Sequence, residues 1–184
     1  MPPVVTAQAR RRPRPIILLM GLAGLALGLA PALAAWPPAL VWNATASAPV
    51  GLYLCSHPGS IAVGDLVAVT PPKPLADWLS TRGAAPHGVL LVKRVAALPP
   101  SRLCWTHGQV SVDGRQVAVA ASHDRMGRSL PVLGGCQRLQ PGQVLLLNEA
   151  VGSLDGRYFG PLASSQIVGR VRPLWTVRER GRGG

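Results

Sequence analysis

The sequence predicts a mainly β domain, built of coiled or partly closed sheets, behind one N-terminal transmembrane helix. Three observations lead to this fold class. A stretch of 21 uncharged residues, 16–36, follows a cluster of arginines. Beyond it, short runs rich in Val and Leu are bounded by Gly, Pro or Asp, which is typical of strands. Of the 184 residues, 48% are hydrophobic and 14% are charged, which excludes a disordered chain.

The apolar segment has the length of a membrane span. As a helix, its residues would rise about 31 Å at ~1.5 Å each, close to a hydrocarbon core of about 30 Å. Positive charges ahead of a span stay cytoplasmic, and four arginines precede this one: Arg10, Arg11, Arg12 and Arg14. We therefore predict a cytoplasmic basic tail over 1–15, an anchor over 16–36 and a translocated domain over 37–184. The alternative is a cleaved secretory signal, because Ala32-Leu33-Ala34 has the small-x-small form of a cleavage site.

The translocated domain has seven strand signals and one helix signal. The strands are predicted at 51–55, 65–70, 88–97, 109–112, 116–120, 143–148 and 167–172. Asp113-Gly114 between two apolar runs is the strongest hairpin signal. A helix is predicted over 74–82, with Pro at its start and Gly83 after its end, inside an excursion over 71–86 inserted between strands. Trp78 and Leu79 share one face of this helix, and we hypothesise that this face enters lipid.

The three cysteines suit an oxidising compartment. Cys104 ends an apolar run and Cys136 follows the turn Gly134-Gly135, so we predict a disulfide between them. Such a bond stabilises the fold by about 3 to 4 kcal/mol. Cys55 is then a buried or free thiol. Spacing does not fix connectivity, so three reduced, buried cysteines are the alternative.

The charge of the translocated part is basic but scattered. After the four N-terminal arginines are subtracted from the 19 Lys and Arg residues, 15 cations face 7 anions. The sequence contains no basic helix, zinc-finger spacing or aromatic-basic motif, so we expect no direct contact with nucleic acid. The histidines have no paired spacing with Cys or carboxylates, so no metal site and no cofactor is predicted. They are His57, His87, His107 and His123.

Two residues are candidates for a nucleophile and its base. Ser47 lies about eleven residues beyond the predicted span, before the rigid turn of Pro49 and Gly51. A serine needs a base to be nucleophilic at neutral pH. Lys93 lies in the apolar run 89–98, where burial should lower its pKa, whereas an arginine cannot act as a base. The alternatives are a hydrogen-bonded loop serine with a lysine whose amine reaches water, and a Ser-His-Asp triad with Asp65 or Asp124.

Four sequence boxes resemble type I signal peptidases, and among them the TraF-type peptidases of conjugative transfer systems. They are SAPVGLY at 47–53, PGSIAVGDLVAV at 58–69, LLVKRVAALP at 90–99 and SLDGRYFGP at 153–161. LSTRG at 79–83 and GRSLP at 127–131 are similar to the TraF branch. The resemblance covers nearly the whole chain. It implies a signal-peptidase-like fold, and it departs from the family at Gly156, where Ser is usual, and at Pro100, where Gly is common.

The resemblance also implies roles for individual residues. Ser47 would be the nucleophile and Lys93 the general base. Thr45 would help the Ser47 amide to stabilise the oxyanion, and Ser153 would orient the lysine. Asp155 and Arg157 would form an ion pair that supports the box.

These roles define a membrane-anchored serine endopeptidase that processes an exported precursor, most typically a conjugative pilin. The resemblance places it in the inner membrane, with its catalytic domain in the periplasm and transfer-apparatus proteins as further partners. A general type I signal peptidase acting on secretory preproteins is one alternative. A non-catalytic scaffold of the transfer apparatus is another. A soluble Ser/Lys autoprotease of the repressor type shares the chemistry but would lack the apolar anchor.

Overall fold

The computed structural model describes residues 15–33 and 39–177, and for 27–33 it describes the backbone only. The chain divides into two units, Met1–Trp36 and Pro37–Gly184. In the first unit, helix α1 (Pro15–Leu33) carries exposed side chains from Pro15 to Ala26. Over the residues searched, no helix combines the length and apolarity that crossing a membrane requires. Residues 1–14 of the predicted tail and 34–36 of the predicted anchor lie outside the described residues.

The described part of the second unit is mainly β, as predicted. Its strands form a seven-stranded sheet in the order β1-β2-β11-β3-β4-β9-β10 and a four-stranded sheet in the order β7-β6-β5-β8. All neighbouring strands are antiparallel. The strands are β1 (Leu40–Asn43), β2 (Gly51–Ser56), β3 (Leu66–Val69), β4 (Leu91–Ala97), β5 (Arg102–Thr106), β6 (Gln109–Val112), β7 (Arg115–Val119), β8 (Gly135–Arg138), β9 (Gln143–Leu147), β10 (Leu162–Ala163) and β11 (Ile167–Thr176). The helices are α2 (Lys73–Thr81) and α3 (Gly156–Phe159), with a 3-10 turn over Ser164–Gln166.

Each strand predicted from the sequence is present, with ends shifted by up to four residues. The hairpin between β6 and β7 turns at Asp113 and Gly114, whose φ angles of 50° and 83° are those of the predicted tight turn. The sequence did not indicate β1, β8, β10 or α3. Strand β5 appeared in the prediction only as the apolar run that ends at Cys104.

Helix α2 confirms the predicted helix, but one interpretation of it is wrong. Leu79 is 2% exposed and packs with Leu75, Ala85 and Leu91 beneath the sheet. A side chain in this core cannot enter lipid. Trp78 is half-buried, and its ring stacks under the guanidinium of Arg82, 4.6 Å from the ring centroid.

The cysteines lie where strand pairing brings them together. Cys104 on β5 is directly opposite Cys136 on β8, and the two form a disulfide. Cys55 on β2 is a buried free thiol, and burial raises its pKa.

Candidate active site

Ser47 lies in the loop between β1 and β2, and the buried side chain of Asn43 holds this loop in shape. The Asn43 amide donates to the carbonyl oxygens of Thr45, Ala48 and Pro49 at 2.9, 3.1 and 3.1 Å. Its oxygen accepts from the Thr45 backbone and hydroxyl at 3.2 and 2.9 Å. One side chain therefore replaces the backbone partners that a short loop lacks.

A tyrosine fixes the far end of the same loop. Tyr53 on β2 is fully buried, and its hydroxyl donates to the Pro49 carbonyl at 2.6 Å. Tyr53 belongs to the hydrophobic core cluster that contains Val41, Ala68 and Val171, so this bond links Pro49 to the core. The serine is thus presented on a loop whose two ends are both anchored.

Lys93 extends from β4 to the Ser47 hydroxyl. Its Nζ lies 3.5 Å from Ser47 Oγ, 3.1 Å from Ser153 Oγ and 2.9 Å from the Leu154 carbonyl oxygen. The residue is 4% exposed. The Ser153 hydroxyl and the Leu154 carbonyl therefore orient the amine toward Ser47, and the strand positions the stem of the side chain.

Burial lowers the pKa of Lys93 from 10.5 to about 8. Loss of water around the ammonium is the largest cause; the charge of Asp155 raises the pKa, and that of Arg157 lowers it. With a pKa of about 8, roughly a tenth of the amine is neutral at pH 7. The neutral amine is the form that can accept a proton.

Asp155 and Arg157 form a buried ion pair behind the lysine. Arg157 Nε donates to Asp155 Oδ1 at 2.7 Å, and its terminal nitrogen donates to Oδ2 at 3.0 Å. Asp155 also accepts from the Arg157 backbone N–H at 3.2 Å, which caps the first turn of α3. The predicted pair is present in the structure, and it holds the segment that carries Ser153.

Asn148, which the sequence did not indicate, joins that pair to the strand of the lysine. Its backbone N–H donates to Asp155 at 2.9 Å, and its carbonyl accepts from Arg157 at 2.6 Å. Its side chain bonds the Val92 carbonyl at 3.0 Å and the Arg94 N–H at 3.2 Å. Asn148 therefore grips β4 on both sides of Lys93.

The departure from the family at Gly156 has a steric reason. A Cβ there would lie 2.8 Å from both the Leu145 side chain and the Leu146 carbonyl oxygen. The first turn of α3 packs directly against β9, so no side chain fits at this position.

Thr45 lies beside the serine, with the two hydroxyl oxygens 3.2 Å apart. Its own hydroxyl donates to Asn43 in this arrangement. Donation to an oxyanion therefore requires the Thr45 hydroxyl to leave Asn43 when substrate binds. The structure brings Thr45, Ser47, Lys93 and Ser153 together in one place.

A cleft opens in front of Ser47 and Lys93. Leu79, Ala84, Ala85 and Leu91 line one side, and the segment 121–130 lines another. The apolar part of the lining combines the small side chains of Ala84 and Ala85 with those of Leu79 and Leu91. Such a surface accepts an apolar peptide with small residues near the scissile bond.

An arginine clamp holds the two cleft walls together. Asp124 accepts from Arg82 at 2.9 Å and from Arg128 Nε at 2.8 Å, while Arg128 also donates to the Arg82 carbonyl at 2.9 Å. Partial burial acts to raise the pKa of Asp124, but hydrogen bonds from Arg128 and Met126 outweigh it and lower the pKa to about 2. The sequence analysis considered Asp124 only as a possible member of a triad, and the structure makes it the centre of this clamp.

No histidine hydrogen-bonds to Ser47 within residues 39–177. His123 lines the cleft, and its ring bonds Ser122 instead. In the same range, no group of three or more His, Cys, Asp or Glu residues is arranged to hold a metal ion.

Comparison with known proteins places these features in a family. The family model for signal peptidase, peptidase S26, matches residues 14–175. The conjugal transfer protein TraF of Agrobacterium fabrum is 33% identical over 176 residues, covering 89% of this chain and 97% of that protein. A probable conjugal transfer protein TraF of Sinorhizobium fredii is 32% identical over 187 residues, covering 96% and 97%. Signal peptidase I V of Bacillus subtilis is 30% identical over 97 residues, covering 47% and 58%.

Proposed function

The chain belongs to the signal peptidase S26 family, with TraF conjugal transfer proteins among its relatives, and from that premise we propose that it is a membrane-anchored serine endopeptidase. Ser47 is its nucleophile and Lys93 its general base. Its substrate is an exported precursor, most typically a conjugative pilin. Family membership supports a peptidase-like role in conjugal transfer; the dyad and the substrate are the proposal.

One observation carries the proposal. The amine of Lys93, 4% exposed, lies 3.5 Å from the hydroxyl oxygen of Ser47 at the bottom of an open cleft. A buried lysine carries a cost in stability when it is charged, so its burial next to a hydroxyl needs a reason. General-base chemistry supplies that reason.

The first half of the reaction follows from this geometry. Neutral Lys93 takes the proton of Ser47 as the serine oxygen attacks the scissile carbonyl carbon. The 3.5 Å separation has to shorten by a few tenths of an ångström for that transfer, as is common when substrate binds. Ser153 and the Leu154 carbonyl keep the amine in place as it becomes charged.

The second half returns the proton. In this proposal the Ser47 N–H donates to the oxyanion of the tetrahedral intermediate, and the Thr45 hydroxyl, 3.2 Å from Ser47 Oγ, joins it after giving up its bond to Asn43. When the intermediate collapses, the ammonium of Lys93 gives its proton to the leaving amine, and an ester remains on Ser47. Lys93, neutral again, then activates the water or amine that releases the product.

An inner-membrane location, with the catalytic domain in the periplasm, is the second part of the proposal. The described side chains of α1 include Ile16, Ile17, Leu18 and Leu19, all exposed. The outer face of β1, β2 and β11 carries the row Trp42–Leu52–Trp175, with the two indole rings stacked 6.1 Å apart. Tryptophans and exposed leucines of this kind are typical of surfaces that lie at a membrane–water interface.

Processing in membranes tests the dyad. Membranes carrying the wild type, Ser47→Ala, Lys93→Ala or Lys93→Arg, at matched protein levels, would be given the pilin precursor of the same transfer system. We expect the processing rate of all three variants to fall by at least about a thousandfold, because each variant removes one member of the Ser47–Lys93 dyad, whose two groups act together. Lys73→Arg, at the exposed first residue of α2, is the matched control, and His123→Ala tests a triad.

The outcomes separate the competing functions. Processing that survives Ser47→Ala would refute the enzyme and leave a scaffold of the transfer apparatus. Cleavage of secretory preproteins at large, dependent on Ser47, would instead indicate a general signal peptidase, as the similarity to Signal peptidase I V allows.

A further inference from the structure

The charged groups of the cleft do not balance. Four basic side chains line it or rise from its floor, namely Arg82, Lys93, Arg125 and Arg128, against the single carboxylate of Asp124. Asp124 already bonds both Arg82 and Arg128. The Lys93 amine hydrogen-bonds to Ser47, Ser153 and the Leu154 carbonyl. The remaining cation is Arg125.

Arg125 is exposed on the cleft side of the segment 121–130. Within residues 39–177 its guanidinium has neither a hydrogen-bond acceptor nor a carboxylate partner. A Cβ built on Gly152 would lie 3.9 Å from Arg125 Nε. Gly152 directly precedes Ser153, whose hydroxyl bonds the Lys93 amine at 3.1 Å. An unpaired positive charge therefore stands at the lip of the cleft, one residue from the group that orients the base.

The backbone beneath Arg125 is fixed before any substrate arrives. The N–H groups of Met126 and Arg128 donate to Asp124 Oδ1 at 2.9 and 3.0 Å, and the Gly127 N–H donates to the Asp124 carbonyl at 2.9 Å. The clamp with Arg82 then ties this turn to α2. A cation on a preorganised turn loses less freedom on binding a partner than one on a loose loop.

We propose that Arg125 is a specificity-determining residue that binds a carboxylate of the substrate close to the scissile bond. The inference rests on the proposed peptidase function and adds a chemical class of substrate to it. A guanidinium matches the two oxygens of a carboxylate in a planar, bidentate pair. The carboxylate comes either from an Asp or Glu side chain or from the C-terminus of the substrate chain, since both present the same group.

Binding to an inactive variant tests this without relying on turnover. The full-length Ser47→Ala chain in neutral detergent micelles would be titrated into fluorescent Ala-rich peptides, with anisotropy as the readout. In one set of peptides a single Glu is placed at each position in turn, and a matched set carries Gln at the same positions. Every peptide is made both with a free C-terminal carboxylate and with a C-terminal amide. We expect one Glu position, or the acid over the amide, to bind about three- to fivefold more tightly, and this preference to fall with added salt.

Variants then assign the preference to one residue. Arg125→Gln, combined with Ser47→Ala, should abolish it, and Arg125→Glu should reverse it toward peptides that carry Lys at the same position. Arg115→Gln, an exposed arginine on β7 outside the cleft, is the matched control and should keep the preference.

The results distinguish the two proposals. A panel in which no acidic peptide binds more tightly than its neutral counterpart, or a preference that survives Arg125→Gln, overturns the role of Arg125. Cleavage by the wild-type chain that still requires Ser47 would leave the peptidase function standing in that case. A Glu preference and an acid-over-amide preference each support the inference and identify the source of the carboxylate.

Discussion

Replacing Lys93 with methionine should inactivate the protein and stabilise it at neutral pH. The folded-state pKa of about 8 lies below the ordinary lysine value of 10.5, because burial penalises the ammonium. Below about pH 8 the lysine is protonated in both folded and unfolded chains, and the wild type carries the full cost of the buried charge. Between the two pKa values the folded chain binds fewer protons than the unfolded one, so wild-type stability rises with pH.

The magnitude follows from the same two values. Each pH unit between them corresponds to about 1.4 kcal/mol, so the cost at neutral pH is about 3 kcal/mol. Methionine has a similar length and no charge. Methionine cannot make the hydrogen bonds to Ser153 and Leu154, and their loss lowers the free energy of unfolding by an amount that changes little with pH. The informative quantity is therefore the change in the stability difference with pH.

Denaturant unfolding of the full-length chain in micelles, repeated from about pH 7 to about pH 10.5, measures that change. The free energy of unfolding of Lys93→Met minus that of the wild type should fall by about 3 kcal/mol across this range. Lys73→Met is the control, because Lys73 is exposed and pairs only with Asp77; its effect should stay below about 1 kcal/mol. A Lys93→Met difference that is constant over pH would mean that the folded chain solvates Lys93 as water does, and the argument for a tuned base would fail.

Other predictions concern the supports of the site. Cleavage of the pilin precursor by the wild type, measured as kcat/KM, should rise with pH and level off above about pH 8, where Lys93 becomes neutral. Asn43→Ala should lower kcat more than it raises KM, and denaturant unfolding should show a loss of about 1–3 kcal/mol, because three loop carbonyls lose their donor. Gly156→Ser should lower the Tm, because its Cβ meets β9 at 2.8 Å; an unchanged Tm would contradict that packing. Cys104→Ser should cost about 3–4 kcal/mol in unfolding experiments, since the disulfide closes a loop with a sequence separation of 32, and processing at low temperature should persist.

The sequence predicted those strands whose apolar pattern and turns lie close together. The β6–β7 hairpin is an example, because Asp113-Gly114 sets both the turn and the register. Strand β1 escaped prediction, since its four residues follow an apolar segment and pair with β2 only in the folded chain. Strand β8 escaped for the opposite reason: all four of its side chains are exposed, so no hydrophobic period marks it.

The site divides in a similar way. Ser47 and Lys93 could be singled out because nucleophile and base chemistry restricts the residue type and the chain holds only two lysines; the structure places the two side chains 3.5 Å apart, and their roles are the proposal. Asn43 and Asn148 could not, because they act by satisfying backbone groups that only the tertiary structure brings near. The Asp124 clamp likewise depends on a contact between residues 42 positions apart. Hydrogen-bonding side chains of this kind have no spacing that distinguishes them from ordinary loop residues.

The buried ion pair explains how Lys93 can be held firmly while its pKa stays low. The pair holds the backbone of Asn148, whose N–H donates to Asp155 and whose carbonyl accepts from Arg157, while the Asn148 side chain bonds β4. A lone carboxylate there would raise the pKa of Lys93, and a lone guanidinium would lower it. With both present their effects on the amine oppose each other, and burial is left as the largest influence on its pKa. Keeping both members of the pair therefore lets charge-assisted hydrogen bonds position Lys93 while their opposed charges leave burial as the main control of its pKa.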